Sequence, residues 1–143
     1  MAKLCSALVC ERVIIDAATQ LPIYLNHFNG IAVHPDTPEF IPMFRIVSNW
    51  HRDPNVEQTL RVRVVPVDPK GNERLDAQSE NSLTSDRPFH RWDAGLPKWR
   101  LDQEGLWTLR FDVWAAEGWS EAGSIPFDFA RLPPSGPTPT QSS

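Results

Sequence analysis

The sequence predicts an all-β fold, a two-sheet antiparallel sandwich of immunoglobulin-like or related topology with about 7–9 strands. Three observations lead there. Leu60-Arg61-Val62-Arg63-Val64, Trp107-Thr108-Leu109-Arg110-Phe111-Asp112-Val113 and Ile125-Pro126-Phe127-Asp128-Phe129 alternate apolar and polar residues with a period of two, as a strand with one wet face requires. Fourteen prolines disfavour long helices. The 143 residues, 41% hydrophobic and 22% charged, suit one domain able to bury a core without metal or disulfide staples.

In chain order, residues 4–15 are rich in strand formers, but Glu11 interrupts one face and Arg12 the other, which predicts a bulge nearby. Residues 21–34 form a second strand, bulged or bent at Asn29-Gly30. A third covers 41–51 with Phe44, Ile46 and Trp50 inward. Asp53-Pro54-Asn55 turns the chain into strand 58–67, and Asp68-Pro69-Lys70-Gly71-Asn72 turns it out. Shorter strands are expected at 73–78 and 87–92. The polar stretch 76–86 fits no element, and a loop of that length is either functional or a misread element. The domain covers 1–131, and the Pro/Ser/Thr-rich residues 132–143 form a disordered tail.

Parity adds two expectations. Trp107, Leu109, Phe111 and Val113 share one face, as do Ile125, Phe127 and Phe129, and all are odd-numbered. Direct pairing with both sets inward needs pair numbers of even sum, hence an odd-length connection or a bulge around Glu117-Gly118. A plain hairpin of 41–51 with 58–67 would set Arg45 opposite Arg63, which like charges disfavour. Either a carboxylate intervenes, Asp112 being the nearest guess, or the two strands lie in different sheets. Leu60, Val62, Val64, Leu109, Phe111, Phe127 and Phe129 should be buried, and Arg61, Arg63 and Arg110 exposed.

A net charge of −4 provides no field that favours nucleic acid or an anionic membrane. No apolar run approaches the ~20 residues of a membrane helix. Cys10 follows Leu8-Val9 as in a lipoprotein signal, but the apolar stretch is short and Glu11 and Arg12 come at once. Cys5 and Cys10 in one strand stand ~16 Å apart on opposite faces, too far for a disulfide. Free thiols fit a reducing compartment, and the chain reads as cytoplasmic.

The segments Ala7-Leu8-Val9-Cys10-Glu11-Arg12-Val13, Asn26-His27-Phe28-Asn29-Gly30-Ile31 and Glu104-Gly105-Leu106-Trp107-Thr108-Leu109-Arg110-Phe111 resemble those of a bacterial family of small β-sandwich proteins classed as a domain of unknown function. The likeness spans about residues 5–130 in outline and is weakest over 76–100. It implies the sandwich fold and a bacterial or phage origin, and it brings no activity, cofactor or catalytic residue.

The sequence offers little chemistry. His34-Pro35-Asp36 and His51-Arg52-Asp53 carry ligand spacing, but they end consecutive strands at opposite poles, and a lone pair is two ligands short of structural zinc. Asp36, Asp53, Asp68 and Asp76 are too scattered for a calcium cup. No nucleophile elbow or phosphate-cradling glycine loop occurs, and Glu117 and Glu121 read as solvated turn residues. We therefore expect no metal, no cofactor and no enzymatic activity.

Residues 87–100, from Arg87 to Arg100, are unusual: four cations against one aspartate, with three aromatics, in an acidic chain. Trp with Arg is the composition of interface hot spots and of single-strand stacking platforms. The alternative is that Phe89, Trp92 and Trp99 pin a strand to the core while the cations stay wet. The reading is a non-enzymatic binding or adaptor domain for another macromolecule, through Arg87, Arg91, Trp92, Trp99 and Arg100. Its partner is a protein, a second copy of the chain included, rather than a membrane or nucleic acid. An exposed apolar patch rimmed by arginine would mark it. Coplanar exposed tryptophans would mark a glycan or nucleic-acid module, and a pocket holding a perturbed His or carboxylate would mark an enzyme.

Overall fold

The computed structural model describes residues 2–25, 29–36, 39–40, 42–52, 59–84, 87–115 and 117–133. Among these the chain is all-β, with ten strands and a single 3₁₀ turn, Leu75–Ala77. The Asp53-Pro54-Asn55 turn, Asn26 to Phe28 and the tail from 134 onward lie outside the described residues.

Three antiparallel strands, β1 (Lys3–Cys10), β5 (Arg45–His51) and β8 (Phe89–Gly95), form one sheet in the order β1-β5-β8. A five-stranded sheet has the order β4-β10-β9-β6-β7, from β4 (Gly30–Val33), β10 (Gly118–Arg131), β9 (Gly105–Ala115), β6 (Thr59–Val67) and β7 (Ser79–Thr84). Its edge strand β4 runs parallel to β10, and a Cβ at Gly30 would stand 2.4 Å from the Asp128 carbonyl, so only glycine fits there. β2 (Arg12–Ile15) and β3 (Pro22–Leu25) form a separate two-stranded ribbon. The breaks expected at Glu11-Arg12 and Asn29-Gly30 are therefore changes of sheet rather than local bulges.

The two larger sheets share one apolar core. Trp50 of β5 meets Phe111 of β9 edge-on at 6.5 Å, and Trp99 stands T-shaped to Phe127 of β10 at 5.3 Å and to Trp107 at 6.0 Å. All seven residues expected in the core are buried. Trp50, Trp92, Trp99 and Trp107 line it, with the Trp50 indole N–H donating to the buried Ser48 hydroxyl at 2.9 Å.

The parity requirement is met by a bulge. Up to Glu121 opposite Asp112 the pair numbers of β9 and β10 have an odd sum, and from Gly123 opposite Phe111 an even one. Ala122 is the extra residue, so the bulge sits inside β10 rather than at Glu117-Gly118. Gly123 lies under Leu4 of β1, where a Cβ would meet Cδ2 at 2.8 Å.

Arg45 and Arg63 fall in different sheets, and each finds a carboxylate. Arg45 Nε donates to Asp93 at 2.7 Å, and Arg63 Nε to Asp112 at 2.7 Å. Arg61 is exposed as expected. Arg63 and Arg110, expected in solvent, are instead largely covered, with 13% and 19% of their side chains accessible, because both fold onto the Asp112 carboxylate.

Two local assignments differ from expectation. No strand covers 73–78: Glu73 makes one bridge to Val67 and the 3₁₀ turn follows. The cause is Asp68, whose Oδ1 accepts the Lys70 and Asn72 N–H groups while Oδ2 takes Arg74 and Gln103, so the chain wraps around one carboxylate. Burial opposes charge on Asp68, yet these hydrogen bonds outweigh it and hold the carboxyl below its usual range. The polar stretch 76–86 contains β7, an edge strand pairing β6 over Thr59–Val64. Of its inward positions Ser79, Asn81 and Leu83, only Leu83 is apolar, which erases the period-2 signal.

A pH response follows from β8. Arg52 is fully buried, and its Nε donates to Nε2 of His90 at 2.8 Å, which requires a neutral imidazole. Burial, and then the Arg52 charge, push the His90 pKa down. Above pH ~6.5 both folded and unfolded chains carry this histidine neutral, so the full stability is present there. Below it the unfolded chain takes a proton that the folded one refuses. The melting midpoint should therefore fall as pH drops from about 6.5 towards 5, and His90→Gln, whose amide oxygen still accepts from Arg52, should flatten that fall in a thermal scan. An equal fall in the variant would assign the response to other groups.

Candidate functional site

The residues singled out in sequence separate by strand parity. In β8 the even positions face inward, so Trp92 is 6% exposed and Ala94 3%, while Arg91 and Phe89 point out. Trp99, 1% exposed, lies in the core, its indole N–H without a hydrogen-bond partner. Arg87 and Arg91 are exposed, and Arg100 is exposed and paired with Glu39 at 2.9 Å. The working surface expected of residues 87–100 is corrected accordingly: its aromatic half is core, and three arginines on separate stretches of surface remain.

The outer face of the five-stranded sheet holds what that segment lacks. In β9 the odd positions are inward, so even-numbered Trp114 points out, 40% exposed. It lies directly opposite Trp119 of β10, since the bulge comes only after Glu121. The two indoles meet edge to face, centroids 5.3 Å apart at 82°. β6 lies beside β9 with Arg63 opposite Asp112, which carries Arg61 to the Trp114 end of the same face. The Arg61 guanidinium sits 4.8 Å from the Trp114 ring and 5.0 Å from Trp119, and that of Arg63 4.5 Å from Trp119, all within cation–π range.

Carboxylates hold those cations in place. Arg61 pairs with Glu80, Arg63 with Asp112 and Gln78, and Arg110 with Asp112 and Glu73. Asp112, 2% exposed, accepts from both Arg63 and Arg110, and its hydrogen bond is the first cause of the raised Arg110 pKa. A depression of about 270 Å³ lies between Arg63, Glu73, Arg110, Asp112, Trp119 and Glu121. The arrangement is a rigid aromatic ridge with fixed guanidinium donors beside balanced charge. It was half legible in sequence: Trp114 breaks an odd-numbered inward run, but placing Trp119 beside it required the bulge position.

Among the described residues no group of three or more His, Cys, Asp or Glu could hold a metal ion. His34 stands 3.7 Å from Asp36 in an exposed pair, and Asp53 lies outside the described residues. Cys5 is exposed and Cys10 buried, both free. No helix among the described residues is long and apolar enough to cross a membrane. In comparisons with family models, curated proteins and solved structures, nothing matches this chain.

Proposed function

We propose that this chain is a non-enzymatic binding domain of bacterial or phage origin. In this reading it is a two-sheet sandwich of immunoglobulin-like or related topology that engages a protein partner in the cytoplasm through the Trp114, Trp119 and Arg61 face. The observation that carries the reading is the exposed tryptophan pair with a guanidinium laid over it, the residue types that dominate interface energies. The shared core of the two larger sheets supports the sandwich. The free, exposed Cys5 suits a reducing compartment.

A glycan platform fits less well, because the rings stand at 82° and arginines already occupy ring faces that a sugar would need. Single-stranded nucleic acid fits poorly too: Arg61, Arg63 and Arg110 are matched by Glu73, Glu80, Asp112 and Glu121, so the face lacks the positive funnel that such binding uses.

The test is a pair of variants. Trp114→Ala and Trp119→Ala lie outside the core and should cost about 0.5 kcal/mol or less each, while cross-linking of a protein partner from a photoreactive group at position 106, on the same outer face, drops to background. Arg91→Ala, on the other sheet, should leave cross-linking intact. Unchanged cross-linking in the double tryptophan variant would overturn the assignment.

A further inference from the structure

The three-stranded sheet ends at a line of paired residues, Cys10, Arg45 and Gly95. Beyond that line the chain leaves β1 through Glu11 and enters the β2–β3 ribbon, which pairs with neither larger sheet. The ribbon is well formed. Ile14 lies opposite Ile23 and Ile15 opposite Pro22, and the turn is closed by Asp16, whose Oδ1 accepts the Ala18 and Thr19 N–H groups and whose carbonyl accepts that of Gln20.

Both faces of the ribbon are apolar. Ile14 and Ile23 project from one and Ile15 from the other, and Leu21 follows at the turn; they are 40%, 44%, 45% and 62% exposed. None of the described side chains from 12 to 25 belongs to the core. An isolated two-stranded hairpin is marginal in water, and such apolar edges are usually covered.

At the same end lies a recess of about 340 Å³, within the ligand-pocket range of roughly 300–1,000 Å³. Pro42, Met43, Phe44, Leu96 and Pro97 line it beside Arg45 and Gly95, and Met43 is 80% exposed, so the ribbon of the same chain leaves it open. Arm and recess thus flank one line of residues. The local charges offset one another, Glu11 and Asp16 against Arg12, with Arg45 held by Asp93.

We propose that this end is a self-association surface, in which the β2–β3 ribbon of each copy lies in the Pro42–Phe44 and Leu96–Pro97 recess of a two-fold-related second copy. Side-by-side arm and recess suit a two-fold axis, because one rotation makes the contact twice and closes the assembly. A second copy supplies the complementary shape from the chain's own surface. The absence of net charge at this end spares the contact the repulsion that a chain of net charge −4 would otherwise bring. This surface is separate from the Trp114 face, so either assignment can fail without the other.

Sedimentation velocity over a concentration series up to ~1 mM reads the result, a span that captures even weak pairs. The wild-type chain should pass from monomer to dimer. Ile14→Asp with Ile23→Asp should weaken the dimer at least tenfold, and so should Met43→Asp, each with an unchanged circular dichroism spectrum. An equimolar mixture of the arm and recess variants should regain a heterodimer, since one arm and one recess remain intact. A wild-type chain monomeric throughout would overturn the proposal. So would a dimer indifferent to the ribbon variant, or one lost with the ribbon variant yet indifferent to Met43→Asp. The wild-type series needs no variant to fold.

Discussion

Phe111→Ala should lower the free energy of unfolding by about 3–5 kcal/mol. Phe111 is fully buried in β9, and its ring meets the edge of Trp50 from the opposite sheet. Truncation removes the apolar transfer energy of a whole ring and leaves a cavity between sheets that cannot close, because Trp50 and Phe127 are held by their own strands. Domains of this size are stable by about 5–15 kcal/mol, so the loss is a large share of the total. Urea unfolding followed by tryptophan fluorescence gives the number, since Trp50 reports directly. A midpoint shift equivalent to less than about 1 kcal/mol would mean that the core does not lie between these sheets.

Asp112→Ala should cost about 3 kcal/mol through a different mechanism. The carboxylate is 2% exposed and is shared by Arg63 at 2.7 Å and Arg110 at 3.0 Å. Removing it leaves two largely covered guanidinium groups facing one another with Gln78 and Glu73 as their remaining partners. The control is Asp93→Ala, which breaks the pair with Arg45 where the side chains are 32% and 41% accessible. Water screens that pair, and its loss should cost less than about 1 kcal/mol. Equal losses from the two variants would show that burial of Asp112 has no energetic consequence. Replacing Arg63, Arg110 and Asp112 together by apolar residues should recover part of the loss, because unpaired buried charge, rather than a missing attraction, dominates the penalty.

The five-stranded sheet was the most legible part of the chain. β6, β9 and β10 each bury one face and wet the other, so their side-chain period reads straight from residue order. That period also dictated a bulge between β9 and β10, since two odd-numbered faces cannot pair inward without one extra residue. The location of the bulge was not legible. Ala122 serves because Gly123, with no Cβ, lies beneath Leu4, a contact that depends on β1 arriving from the other sheet. β7 escaped detection for the reverse reason. An edge strand with polar residues on both faces derives its structure from the Thr59–Val64 partner and has no pattern of its own.

The site divides in the same way. Trp92 and Trp99 lie in a cationic stretch of sequence and end up in the core, because alternation sends neighbours to opposite sides of a sheet whatever their local charge. Trp114 and Trp119 are ordinary in sequence and become an exposed ridge only when the hairpin register sets them opposite one another and β6 brings Arg61 across. By itself the sequence determined that the chain is β, which residues of β6, β9 and β10 are inward, and that Arg45 and Arg63 could not stand together unpaired. The tertiary structure alone decided which strands share a sheet, that β2 and β3 stand apart from both, and which aromatics reach the surface. Side-chain alternation is a property of two or three consecutive residues, whereas strand partnership is settled between segments dozens of residues apart, by packing that no single segment encodes.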